Sequence, residues 1–237
     1  MNSSLSSMGS VKGGPETFIE ALKEYITSKG LIVMSTYPHI NMYNYLENYE
    51  IFDVKKTPSK NGSITEIFRK GHDVIRSLHP THSLAAWGKD AKYFMEGHEI
   101  SQSPYDEFSP YKKLLDINVK MLLIGVNFNH AVMIRVIDDL YPDYPLSPYI
   151  PNKVYTVEVR NYDGNLIKIN TPCHDPIFSK ERNNMAIFPH VKDKVTFGKL
   201  GSAYTWVLRS QDLFNKQIDL SKKGVFPFYK LPLKNRL

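Results

Sequence analysis

GGPETFIEALKEYITSKG, residues 13–30, runs straight into LIVMSTY, residues 31–37. How this pair is read decides the fold class. Pro15 suits a first helical turn, where its missing N–H would have no partner anyway, and Glu16 favours the positive end of the helix dipole. Phe18, Ile19, Leu22 and Ile26 recur at helical spacing and form one apolar stripe. Gly30 is the expected stop. Leu31 to Tyr37 is short and almost continuously apolar, the pattern of a strand covered on both faces. A helix followed by a buried strand is half of a βαβ unit. The strand that would open the unit lies before Asn2 and is not in this sequence.

Outward from this pair, the start is a run of small polar residues, Asn2 to Gly14. Such a run suits a solvated tail, but the well-signalled helix behind it argues for an ordered lead-in. After the strand, His39 to Ser63 is polar and aromatic with Pro, Asn and Gly, and reads as a long loop. Ser63 and Glu66 have capping-box spacing and open a short helix to Lys70. DVIRS, residues 73–77, is a short strand. Residues 93–105 and 109–117 carry loop and short-helix signals. VKMLLIGV, residues 119–126, is a second buried strand. NHAVMIRVIDDLY, residues 129–141, reads as a helix capped by Asn129. Residues 153–170 alternate on both sides of Asp163-Gly164, a strong hairpin signal. Residues 194–218 give one or two strands and a terminal helix. No repeat is visible. The expected fold is α/β: a single mixed domain over residues 1–237 with a central sheet and an antiparallel hairpin insertion.

Bulk properties narrow the function classes. The chain has 237 residues, a 42% hydrophobic and 12% aromatic content, and a formal charge of +6. That composition fills a core and excludes wholesale disorder. The basic balance suits a phosphate-bearing partner. No run of five or more Lys/Arg occurs, so a nucleic-acid partner is not expected. The single cysteine, Cys173, excludes a disulfide framework and a CxxC zinc site, and no metal is expected. No apolar run reaches membrane-spanning length, and the start lacks the layout of a secretory signal. A cytoplasmic protein of open oligomeric state is the expectation.

Four places carry chemistry. The Ser/Gly start enters a helix and leaves backbone N–H groups free, a place for an anion or a polar chain, though it fits no phosphate-loop motif. RSLHPTHS, residues 76–83, holds two histidines and three hydroxyls in one turn. His79 and His82 either act as a base near neutrality or brace the turn through hydrogen bonds, and bracing is the commoner use. Cys173, His174 and Asp175 are adjacent, which points their side chains apart and disfavours a nucleophilic triad. Arg135 and Asp138 lie three apart on a helix; they form an ordinary ion pair, or Arg135 turns into a site and binds an anionic group.

The chain resembles the aminoglycoside 3-N-acetyltransferases and their amino-sugar-acylating relatives. The similar blocks are residues 2–22 with 31–37, EIFRKGHDVIRSLHPTHSLAAWGKDA (66–91), SPYKKLLDINVKMLLIGV (109–126) and FGKLGSAYTWVLRSQDLF (197–214). The resemblance implies acetyl-CoA as cofactor and direct acetyl transfer to the amine of a small molecule, an amino sugar that is aminoglycoside-like or nucleotide-linked. It implies that the pantetheine arm lies along Ser3, Ser4, Leu5 and Ser7. Ser77, Thr81, His82 and Ser83 would wall the same tunnel, with Arg76 reaching phosphate. The family has further residues, including a strand, before this start, and usually a histidine where Asn2 stands. Its catalytic histidine is followed three positions later by an acid, a pattern that here falls on Arg135 and Asp138. A guanidinium cannot serve as a base. The base is therefore expected at His174, assisted by Asp138 or Asp175, with His130 second. The alternative is a family member that has lost catalysis and binds a partner.

Overall fold

The computed structural model describes residues 1–229. The deciding pair forms as expected: helix α1 spans Gly14–Ile26 and strand β2 spans Leu31–Ser35. Phe18 and Ile19 of α1 are buried against Met34 of β2, Ala85, Ile64 and Phe68. Burying an aromatic or branched side chain of this size stabilises by about 1.5–3 kcal/mol, so this contact anchors the element. α1 ends earlier than Gly30, at Thr27, which takes φ 60° while its N–H bonds the Lys23 carbonyl.

The direction of pairing differs from the expectation. β2 runs antiparallel to β5 (Leu84–Gly88), with Leu31 opposite Gly88 and Ser35 opposite Leu84. The pair belongs to no parallel crossover. An apolar run reports that a strand is covered, not which way its neighbour runs. Gly88 sits at φ +103°, where a Cβ would collide with the Gly30 carbonyl. The remaining strands are β1 (Asn2–Ser3), β3 (Phe52–Asp53), β4 (Ile75–Arg76), β6 (Lys120–Ile124), β7 (Tyr149–Arg160), β8 (Leu166–His174), β9 (Thr196–Leu200) and β10 (Ala203–Arg209). They make a mixed α/β fold with three sheets: β1-β6-β10-β9, β2-β5-β4 and β3-β7-β8. The first two lie side by side as a central layer. An apolar cleft of about 540 Å³ separates them, with Leu31–Ser35 on one wall and Lys120–Leu123 on the other. The Met1 ammonium crosses it and donates to the Val33 carbonyl at 2.7 Å.

The lead-in is ordered. Asn2–Ser3 pairs in parallel with Leu123 and Ile124, and Ser6–Met8 forms a 3-10 turn. The hairpin is present: β7 and β8 pair antiparallel, and Gly164 takes φ +85° in the turn between them. Three local expectations are corrected. The long loop contains the helix Met42–Glu47, capped by the Asn41 side chain, and strand β3. The Ser63 capping box does not form. Gly62 is the cap residue, and Glu66 instead accepts from the Ser59 N–H and pairs with Arg69 and Lys70. The single helix expected after β6 is broken into Phe128–His130, Val132–Arg135 and Ile137–Leu140, with Asn127 rather than Asn129 capping the first turn. No helix among the described residues is long and apolar enough to cross a membrane.

Candidate functional site

The turn between β4 and β5 closes on itself. The Ser77 hydroxyl accepts from the Leu84 N–H at 3.0 Å and meets His98 Nδ1 at 2.8 Å, while His98 Nε2 donates to the Pro104 carbonyl at 3.1 Å. His79 Nδ1 accepts from the N–H groups of His82 (3.1 Å) and Thr81 (3.3 Å), and its ring stacks on His98 with centroids 4.4 Å apart. Ser83 Oγ donates to the Thr36 carbonyl at 2.9 Å. Arg76 donates to the carbonyls of Thr36 (2.5 Å) and Thr57 (2.6 Å) and to the hydroxyls of Thr36 and Ser83, and its guanidinium lies 4.7 Å from the Phe52 ring centroid. Arg76, Ser77, His79, Thr81, His82 and Ser83 are all at most 3% exposed. The sequence suggested that this turn walls a tunnel and that Arg76 reaches a phosphate; here these side chains are turned to one another. Apart from His79 Nε2, which has no partner among the described residues, the turn's polar side chains brace β4, β5 and the loop from Thr36 to Thr57.

The start makes a second feature. Ser3, Ser4, Leu5 and Ser6 line a cleft of about 520 Å³ with Gly9, Val11, Gly62, Ser63 and Ile64. Ser3 Oγ is buried there with no hydrogen-bond partner. Gly62 is at φ +107°, with nothing within 4 Å of where a Cβ would stand. Ser7 is turned away from the cleft and donates to the Gly125 carbonyl (3.1 Å) and to Ser4 (2.9 Å).

A third feature draws four separated segments together. The His82 ring lies 4.7 Å from Tyr37, 5.8 Å from His39, 5.2 Å from Tyr105 and 5.2 Å from His174, centroid to centroid. His174 closes β8 and stacks on Tyr149 at 5.0 Å. Arg135 Nη1 lies 3.5 Å from His174 Nδ1. A guanidinium only donates, so Nδ1 is the acceptor and the neutral ring carries its proton on Nε2. Nε2 is buried without a partner. Burial, with Arg135 and Arg182 nearby, holds His174 well below the usual histidine range. In this arrangement His174 receives Arg135 at Nδ1 and holds its ring proton on Nε2, where the sequence suggested a base.

The other expected catalytic groups are placed as follows. Asp138 is buried and paired with Arg182 at 2.5 Å; burial pushes its carboxyl up, against the pull of Arg182 and Arg135. Asp175 caps the helix Pro176–Glu181, accepting from the Ile177 N–H at 2.7 Å. His130 is exposed, its Nδ1 donating to Asn127 at 3.3 Å. Cys173 is buried, and burial pushes its thiol up to about 11, which removes it as a nucleophile.

Two residues of this site were missed from sequence. Asp139 accepts from the Tyr149 hydroxyl (2.9 Å) and the Tyr105 N–H (2.9 Å), and burial raises it to about 7. His39 follows Tyr37-Pro38 at the end of the buried strand. It leans on the Thr81 backbone, but neither ring nitrogen completes a hydrogen bond, and burial lowers it to about 4. It is thus neutral near pH 7, with one ring nitrogen turned to the Thr81 backbone. A titratable residue two positions past a buried strand's end was the only available signal.

Comparison with known proteins concerns the chain as a whole. The aminoglycoside 3-N-acetyltransferase family profile matches residues 1–221. The SPbeta prophage-derived aminoglycoside N(3')-acetyltransferase-like protein YokD of Bacillus subtilis (strain 168) is 30% identical over 159 residues, 60% of this chain and 58% of that protein. The chain thus matches little more than half of that relative's length. Aminoglycoside N(3)-acetyltransferase III of Pseudomonas aeruginosa is 24% identical over 233 residues, covering 90% of this chain and 82% of the other. Among solved structures, AAC-IIIb in a binary complex with CoASH superimposes with a TM-score of 0.77 at 18% identity, over 98% of this chain and 91% of that one.

Proposed function

The chain belongs to the aminoglycoside 3-N-acetyltransferase family, and from that premise we propose that it is an acetyl-CoA-dependent N-acetyltransferase acting on the amine of an amino sugar. The observation that carries the reading is the cleft at the Ser-rich start, with its orphaned Ser3 hydroxyl and open Gly62. These residues fit the pantetheine arm of CoA. The Ser4 and Ser6 hydroxyls would meet its amides, and Leu5, Val11 and Ile64 would cover its methylenes. Acetyl-CoA, when bound, supplies the acetyl group as a thioester already activated toward an amine.

The protein's part is to position the amine and take its proton. His39 is assigned as the acceptor because it is neutral near pH 7 and, unlike His174, has no cation directed at a ring nitrogen. His174 and Arg135 present N–H donors beside it. Tyr149, held by Asp139, fixes the His174 ring from one face. No covalent enzyme intermediate is needed, in keeping with the buried thiol of Cys173.

A second reading is a member that binds without catalysing, favoured by Arg135 at the position where the resemblance places a histidine. One experiment addresses both. CoA at about 100 times its Kd stabilises by about 2.7 kcal/mol, which a thermal melt resolves. Ser6 is exposed on the cleft wall, so Ser6→Trp fills the cleft without touching the core. The variant is expected to lose the CoA-induced shift and keep its unliganded Tm. No shift in the wild type at millimolar CoA contradicts the cofactor assignment. A shift without transfer to any amine favours the second reading.

A further inference from the structure

We propose that the acceptor carries a fixed negative charge, a carboxylate or a phosphate, and that Arg135 selects it. This rests on the siting of the acceptor in the cluster around His39, His82 and His174.

The inference comes from the charges that face this space. Arg135 is half-buried, and its hydrogen-bonding contact among the described residues is the His174 ring. Asp138, three positions on, is committed to Arg182. Asp139 is committed to Tyr149 and to the Tyr105 N–H, and burial favours its protonated form. Asp106 accepts from the N–H groups of Gln102 and Phe108 in its own loop. Histidines 39, 82 and 174 are held neutral by burial, as are Tyr37 and Tyr105. Arg135 thus feels Asp138 only at a distance, and no carboxylate is recorded in direct contact with its guanidinium.

The donors add to this. His174 Nε2 carries the ring proton, is buried and has no acceptor. Removing a guanidinium from water is costly unless an anion meets it, and its planar fork matches a carboxylate or phosphate. The His174 Nε2–H points from the far side of the ring and is a separate donor for a neutral oxygen of the acceptor. A polycationic acceptor would instead bring ammonium groups against Arg135 with no carboxylate left to receive them. The overall charge of +6 points the same way.

The test is calorimetric binding to the CoA-saturated full chain at constant ionic strength. The probes are glucosamine, glucosamine 6-phosphate, 2-amino-2-deoxyglucuronic acid and kanamycin. The two anionic sugars are expected to bind at least tenfold tighter than glucosamine, and kanamycin more weakly than glucosamine. Arg135→Met should erase the preference and Arg135→Lys should keep part of it, each melting within a few degrees of wild type. Kanamycin binding as tightly as the anionic sugars overturns the proposal. So does an anionic preference that survives Arg135→Met, or failure of both anionic probes to bind at millimolar concentration. Acetyl transfer in the same samples reports separately on the parent reading. Transfer without anion selectivity keeps the acetyltransferase and removes this inference; selectivity without transfer does the reverse.

Discussion

Two neighbouring polar regions share this protein's interior and differ in one respect. In the turn from Arg76 to Ser83 nearly every buried donor and acceptor has a partner a few residues away or on an adjacent strand. In the cluster from His39 to His174 the rings touch, but the nitrogens of His39 and Nε2 of His174 have none. Satisfied buried polarity is architecture, since each bond offsets the cost of taking its group out of water. Unsatisfied buried polarity gathered in one place is costly for the free protein and marks where a ligand completes the bonds. Both regions contain histidines, so residue type alone does not separate them.

The largest expected effect of this polar interior is acid sensitivity. His79 and His98 in the brace and His39, His82 and His174 in the cluster all have folded pKa values below the ordinary 6.5, chiefly through burial. A depressed folded pKa means the unfolded chain binds the extra protons. Stability is thus fully present above pH 6.5 and is lost progressively as pH falls below it. Asp139 works in the opposite direction, because its raised carboxyl keeps its proton in the fold up to about pH 7. Asp138 is raised too, but five histidines outweigh two carboxyls, so stability should fall from pH 7 to pH 5, as denaturant titrations across pH would measure. A flat stability curve from pH 7 to 5 would mean that the cluster is open to water and unlike the brace.

Next in size is Arg76→Met. It leaves the Thr57 carbonyl without its Arg76 donor and the Thr36 carbonyl with Ser83 alone, and should cost about 2–4 kcal/mol, roughly 10 °C in Tm. Arg135→Met sets the contrast. It removes a half-buried cation with no carboxylate partner, and the expected change is within about 1 kcal/mol of zero. Equal losses in the two variants would erase the distinction between brace and site.

What the sequence made legible follows the same division. Helix α1, strand β2 and the β7–β8 hairpin were readable because caps, stripes and the Asp163-Gly164 turn act within a few residues. The direction of β2 was not, because it depends on β5 arriving fifty residues later. The break in the helix after β6 was hidden by an apolar pattern that serves short turns packed in a core equally well. The brace was recognisable as a dense turn, though its outward-looking hydroxyls proved to be internal. The cluster was the least legible. His39, His82, Arg135 and His174 come from four segments, and no spacing connects them before the chain folds. Asp138 and Asp175 were singled out as partners of His174, whereas the aspartate that braces its stacked neighbour Tyr149 is Asp139.

The central claim is that the unsatisfied cluster, with His39 as proton acceptor, is where the amine is acetylated. The most direct measurement is the rate of CoA release from acetyl-CoA with glucosamine 6-phosphate as acceptor, for wild type, His39→Gln and His130→Gln at pH 7.5. His39→Gln should lower kcat/KM by about 10²–10⁴-fold, the usual contribution of a positioned base, with CoA binding unchanged. His130→Gln, altering an exposed side chain bonded to Asn127, should leave the rate as it was. A His39→Gln enzyme that turns over at the wild-type rate, or a His130→Gln enzyme that does not, would contradict the account.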